Sequence, residues 1–183
     1  MLRTGVLGGR TIALAGVDEG VRAALETLGA TTFGLSADGV LPLRSPSAPE
    51  GPAPRVDTLV ADTRGAFESA GRGYPGLRAA VDGAFAMARD VAVEHWIDQP
   101  GGGQVVLLAP APGAGAHAQA ARAALDNLVR TLSTEWARHE VTTVAVLAGD
   151  ATSESTIAEL VAWLVSPAGA YLSGTALTLD RPL

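Results

Sequence analysis

The sequence predicts an α/β domain with a doubly wound, mainly parallel sheet of about six strands and helices on both faces. Three observations carry this. Strand-like segments alternate with segments of helical periodicity along the chain. Each strand-like segment is a nearly continuous apolar run, as expected for strands buried on both faces. The first strand and first helix are punctuated by Gly16 and Gly29 in the manner of an opening βαβ unit.

In order, residues 10–15 (RTIALA) read as a buried strand, followed by Gly16 and a helix over about 21–28. On that helix Val21, Ala24, Leu25 and Leu28 share one face. Residues 31–35 form a second strand. Residues 36–54 carry Pro42, Pro46, Pro49, Pro52 and Pro54 among glycines and serines, the composition of a loop. A strand follows at 56–60, then an irregular or weakly helical stretch at 66–75, and a long Ala-rich helix at 77–96. Gly101, Gly102 and Gly103 turn the chain into a strand at 104–108, and a Gly/Pro/Ala loop covers 109–115. A helix over about 117–138 aligns Ala121, Leu125, Leu128, Leu132 and Trp136. A strand at 141–147, a helix at 156–165 with Ser155 as its expected N-cap, and a strand at 173–179 complete the series. The whole reads as one domain.

Composition excludes several chemistries. Cysteine is absent, which removes disulfides, thiolate nucleophiles and Cys-based zinc sites. Lysine is absent too, so all 13 basic residues are arginine; a Walker-type lysine and Schiff-base catalysis are excluded. A net charge of −6 without a basic stripe argues against nucleic acid and anionic membrane as partners. No apolar run reaches membrane-spanning length, and a cytoplasmic protein is expected.

Several segments together resemble the short-chain dehydrogenase/reductase (SDR) family. Residues 9–16 (GRTIALAG) are similar to its first strand and glycine loop, and 56–60 (VDTLV) to its fourth strand. Residues 122–137 (RAALDNLVRTLSTEWA) resemble the helix after its catalytic tyrosine. Residues 144–149, 164–167 and 171–180 follow in family order, and only 36–54 falls outside the likeness. The resemblance implies a Rossmann-like core truncated around the third strand, because the Pro-rich loop stands where a helix and that strand would be.

The resemblance also implies a degenerate site. The family's Tyr-x-x-x-Lys falls on Ala118 and Arg122, its catalytic serine on the run beginning at Ala109, and its relay-water asparagine on Asp82. Its Gly-x-x-x-Gly-x-Gly becomes Gly16, Gly20 and Arg22, with Asp18 and Glu19 between. Those two carboxylates stand where a helix N-terminus would receive a pyrophosphate. At an effective dielectric near 20, like charges about 5 Å apart repel by roughly 3 kcal/mol. No bound cofactor is expected on this reading.

Other candidates have simpler readings. His117, beside the lost tyrosine, is a weak candidate acid/base. His95 and His139 flank helix ends without metal spacing. Asp82 and Asp90, about two turns apart, are a catalytic pair or a polar helix face. Arg22 either meets a cofactor 2′-phosphate or pairs with Asp18 or Glu19. The resemblance also implies that the two long helices pack against a neighbouring subunit's pair. Ala84, Phe85, Ala88, Ala92, Trp96, Ala121, Leu125, Leu128, Leu132 and Trp136 are the expected interface.

The reading that follows is a non-catalytic SDR-like subunit, forming a homo-oligomer or pairing with an active SDR relative. The alternatives are a divergent NAD(P)-dependent oxidoreductase and a module binding a small molecule or acyl thioester.

Overall fold

The computed structural model describes residues 2–35 and 55–179. The Pro-rich 36–54 segment lies outside the described residues, as does 180–183. Six strands form one fully parallel sheet: β1 (Thr11–Ala15), β2 (Thr31–Leu35), β3 (Thr58–Asp62), β4 (Gly103–Leu108), β5 (Val141–Ala148) and β6 (Thr175–Leu179). Their order across the sheet is β2-β1-β3-β4-β5-β6, so β2 and β6 are the edge strands among the described residues. The helices are α1 (Glu19–Thr27), α2 (Arg64–Ser69), α3 (Tyr74–His95), α4 (Ala118–Glu135) and α5 (Glu154–Val165). A single 3-10 turn, Ala137–His139, follows α4.

Strand alternation divides the core. One face of the sheet presents Ala13, Leu59, Ala61, Val105, Leu107 and Ala145, which pack under α3 and α4. The other presents Ile12, Leu14, Val60, Val106, Val144 and Val146, which pack under α1 and α5. A strand covered on both sides has no polar face, which is why the sequence shows runs instead of alternation.

Local chemistry moves several predicted boundaries. The third strand is displaced by two residues, to Thr58–Asp62. Asp57 closes the lower end of the sheet instead, its Oδ2 accepting the Thr11 amide at 2.8 Å. The stretch read as irregular holds the short α2, and α3 begins at Tyr74 because Pro75 sits in its first turn, where no N–H is needed. The N-cap of α5 is Ser153, not Ser155: the Ser153 hydroxyl accepts the Thr156 amide at 3.1 Å.

The interface expectation needs correction. Ala84, Ala88, Ala92, Trp96, Ala121, Leu125, Leu132 and Trp136 belong to the core of this single chain. Leu128 packs at its margin, and Phe85 alone of the set is exposed. Each helix spends its apolar stripe on the sheet, and the alanines set how close it approaches. The triple glycine is a packing device. A Cβ on Gly103 would run into the indole of Trp96, and one on Gly102 into the backbone of Glu140. The indole is fully buried, and its Nε1 donates to the Val56 carbonyl at 2.7 Å.

Candidate functional site

In a sheet of this order the connections diverge between β1 and β3, and the crevice lies beyond the strand C-termini there. Gly16, at φ +64°, leaves β1, and a Cβ on it would stand 2.8 Å from the Asp62 carbonyl oxygen at the end of β3. This crossing requires glycine. Two residues on, Asp18 caps α1: its Oδ1 accepts the Gly20 amide at 2.6 Å. A side-chain carboxylate therefore already takes one amide of the kind a phosphate would use. Arg22 turns back over β2, donating to the Thr32 hydroxyl at 3.0 Å and lying 3.6 Å from Glu19.

The exit of β3 is closed by charge. Asp62 is nearly buried and accepts two-pronged hydrogen bonds from Arg64 Nε and Nη2 at 2.7–3.0 Å. The outer edge of the same guanidinium reaches Glu154, at the start of α5, at 2.6 and 3.0 Å. Burial works against the Arg64 charge, but the bonds to Asp62 and Glu154 outweigh it and hold the group protonated above the ordinary arginine range. Beside Asp62 a cavity of about 250 Å³ runs along α3, walled by Ala80, Gly83, Met87 and Asp90. That is smaller than the roughly 300–1,000 Å³ of ordinary ligand pockets.

Arg122 is the centre of the neighbouring strand exits. It is 7% exposed. Nη1 donates to the carbonyls of Pro110 at 2.8 Å and Ala148 at 2.7 Å, and Nη2 to that of Leu147 at 3.2 Å. It thereby staples the ends of β4 and β5. One turn earlier, Ala118 is sealed in a cluster with Phe67, Ala80 and Ala121. Ala109 is buried at the end of β4.

The remaining candidates lie elsewhere. Asp82 is exposed on the solvent side of α3 and pairs with Arg78 at 2.5 Å, while Asp90 pairs with Arg89 at 2.7 Å. They form two separate ion pairs. His95 sits at the far end of α3. Its half-burial lowers its pKa below the usual histidine value against the pull of Glu94, and Arg55 lowers it further. His139 accepts from Arg138 Nε at 2.9 Å. His117 is exposed at the start of α4, edge-on to the ring of Tyr74 with centroids 6.4 Å apart. Sequence reasoning passed over Tyr74, although Pro75 marked it as the first residue of a helix. Arg64 was also missed, since nothing local announces a partner 90 residues away.

No candidate metal cluster is found among the described residues, and no helix among them is long and apolar enough to cross a membrane. No family model matches the sequence, and no curated protein matches it. Solved structures do match. A citronellol catabolism dehydrogenase from Pseudomonas aeruginosa is similar at TM-score 0.71 and 23% identity, over 98% of this chain and 97% of that one. An enoyl-[acyl-carrier-protein] reductase (NADH) from Aquifex aeolicus is similar at TM-score 0.72 and 16% identity, over 96% and 97%. An enoyl-acyl carrier protein reductase from Bacillus cereus, solved with NADP+, is similar at TM-score 0.67 and 14% identity, over 96% of each chain. The chain therefore has an SDR-like, Rossmann-type fold, that of these dehydrogenases and reductases.

Proposed function

We propose that this chain is a non-catalytic SDR-like subunit that acts by association, with itself or with an active relative of the same fold. The observation that carries the reading is the use made of Arg122. Where an SDR enzyme resembling this sequence keeps a lysine to poise its tyrosine, this guanidinium is committed to three backbone carbonyls. The tyrosine position is an alanine sealed against Phe67. No side chain at that spot is left to deliver a proton.

The residues at the crevice do not fit a dinucleotide. Asp18 takes an amide at the helix start, Arg22 is paired with Glu19 and Thr32, and Asp62, Arg64 and Glu154 close the β3 exit. Together these groups sum to a net −2 (four carboxylates, two guanidinia), which opposes a pyrophosphate. The test is a thermal titration with NADH and NADPH beside a hydride-transfer assay. A ligand at one hundred times its Kd adds about 2.7 kcal/mol of stability. The expected result is no shift at millimolar cofactor and no turnover, whereas a saturable shift overturns the proposal. That outcome would favour a second reading, a divergent NAD(P)-dependent oxidoreductase. It draws support from neighbours that are dehydrogenases and reductases, one of them solved with NADP+, and from the exposed His117–Tyr74 pair.

Association is supported by the outer side of α3. Among the described residues, three of the four large apolar side chains left exposed are Tyr74, Phe85 and Val93 on this helix. Tyr74 and Phe85 stand roughly three turns apart on one face. With the alanines turned inward, this outer stripe takes over as the contact surface, the occupant being a second copy or an SDR relative, in the cytoplasm. Sedimentation should give an assembly for the native chain or its co-expressed pair, and Phe85→Glu should dissociate it. An unchanged mass for Phe85→Glu would remove α3 from the interface.

A further inference from the structure

The link between β5 and α5 is fastened along its length by side-chain hydrogen bonds to three other segments. Asp150 Oδ1 accepts the Gly113 amide from the β4 loop at 2.8 Å. Glu154 meets Arg64 from the β3 exit through both oxygens, at 2.6 and 3.0 Å. The Thr152 hydroxyl ties the middle of the link to the Leu179 carbonyl at 2.8 Å. The two anchors of Arg64 differ in kind. The Asp62 side chain is 4% exposed and part of the sheet end, whereas the Glu154 side chain is 53% exposed. One partner fixes the guanidinium and the other can let go.

We propose that Arg64 is an ionic strap, rigidly seated on Asp62 and reversibly clasping Glu154, that holds the start of α5 over the crevice and sets how often it opens. Glu154 occupies the outer donors of the guanidinium in the fork-to-fork geometry that a carboxylate or phosphate would adopt. A carboxylate or phosphate that would bind these donors must therefore displace Glu154 first. Because the clasp is half in water, it is weak and salt-sensitive, as a reversible closure requires. The strap goes beyond the proposed function and does not depend on the absence of catalysis.

The test is amide hydrogen exchange over residues 150–157 in the native chain, Glu154→Gln and, as a control, Arg78→Gln, which breaks a more exposed helix pair on α3. Glu154→Gln should exchange roughly 5-fold faster in this segment with the rest of the sheet unchanged. Raising salt from about 0.05 to 0.5 M should accelerate the native segment and leave Glu154→Gln unaffected. Thermal melting confirms that each variant is folded, and Arg64→Gln supplies a second release from the opposite side. Equal exchange in native and Glu154→Gln proteins, or equal acceleration in Arg78→Gln, would overturn the strap. Neither outcome touches the cofactor titration, so the two proposals fail separately.

Discussion

Arg122→Ala is expected to lower stability by about 3–5 kcal/mol, the largest loss from any single polar residue among those described. The side chain is nearly buried and feeds three carbonyls at the ends of β4 and β5. Alanine leaves those acceptors facing a void, and each buried unsatisfied group costs about 1–3 kcal/mol. Water entering the vacated space recovers part of the cost. In a domain of this size 1 kcal/mol moves Tm by roughly 2–4 °C, so a fall of about 10 °C or more is expected. Arg122→Lys should recover only part of it. An ammonium has three donors on a compact head and cannot span acceptors on two strand ends as a planar fork does. Calorimetry decides the matter. A loss below about 1 kcal/mol for Arg122→Ala would mean the staple is ornamental and would remove the observation on which the proposed function rests.

Gly103→Ala is the second large effect, expected at about 3 kcal/mol. A methyl there falls inside the van der Waals radii of the Trp96 ring carbons Cδ2 and Cε2. The ring cannot swing aside, because its nitrogen is bonded to the Val56 carbonyl and its whole surface is packed. Overpacking of this kind costs about 1–3 kcal/mol when neighbours can relax, and here they are the start of β4 and the end of α3. Trp96→Leu alone should cost about 3–5 kcal/mol from the lost contact area. In the double variant the smaller side chain makes room for the methyl, so the losses should fall short of their sum by about 1–2 kcal/mol. Urea unfolding of the four proteins measures the coupling. Strict additivity would show that the glycine serves only its backbone.

Most of the fold was legible because burial on two faces leaves a signature in composition. Ile12 to Ala15, Val105 to Leu108 and Val144 to Val146 are apolar without interruption because helices cover both sides. Boundaries were less legible where one hydrogen bond decides them. Ser153 and Ser155 are equally good caps in sequence, and only the distance to the Thr156 amide separates them. The interface residues were misassigned for a related reason. A helix rich in alanine looks apolar on several faces, and Ala84 and Ala88 carry no mark of which way they turn. Phe85, one position along, turns outward.

The candidate site divides in the same way. Ala118, Arg122 and Arg22 were singled out in the sequence only through a resemblance aligned along the chain, which implies what would stand at each position. What those residues do could not be read. The three carbonyls held by Arg122 come from segments 12 to 26 residues away, and the clasp of Arg64 on Glu154 spans 90. The periodicity and order of the elements are properties of neighbours along the chain, so the sequence alone determined the parallel sheet and its helices. Which charges are buried, and on whom they are spent, depends on groups that meet only when the strand ends converge, and the tertiary structure alone decided that.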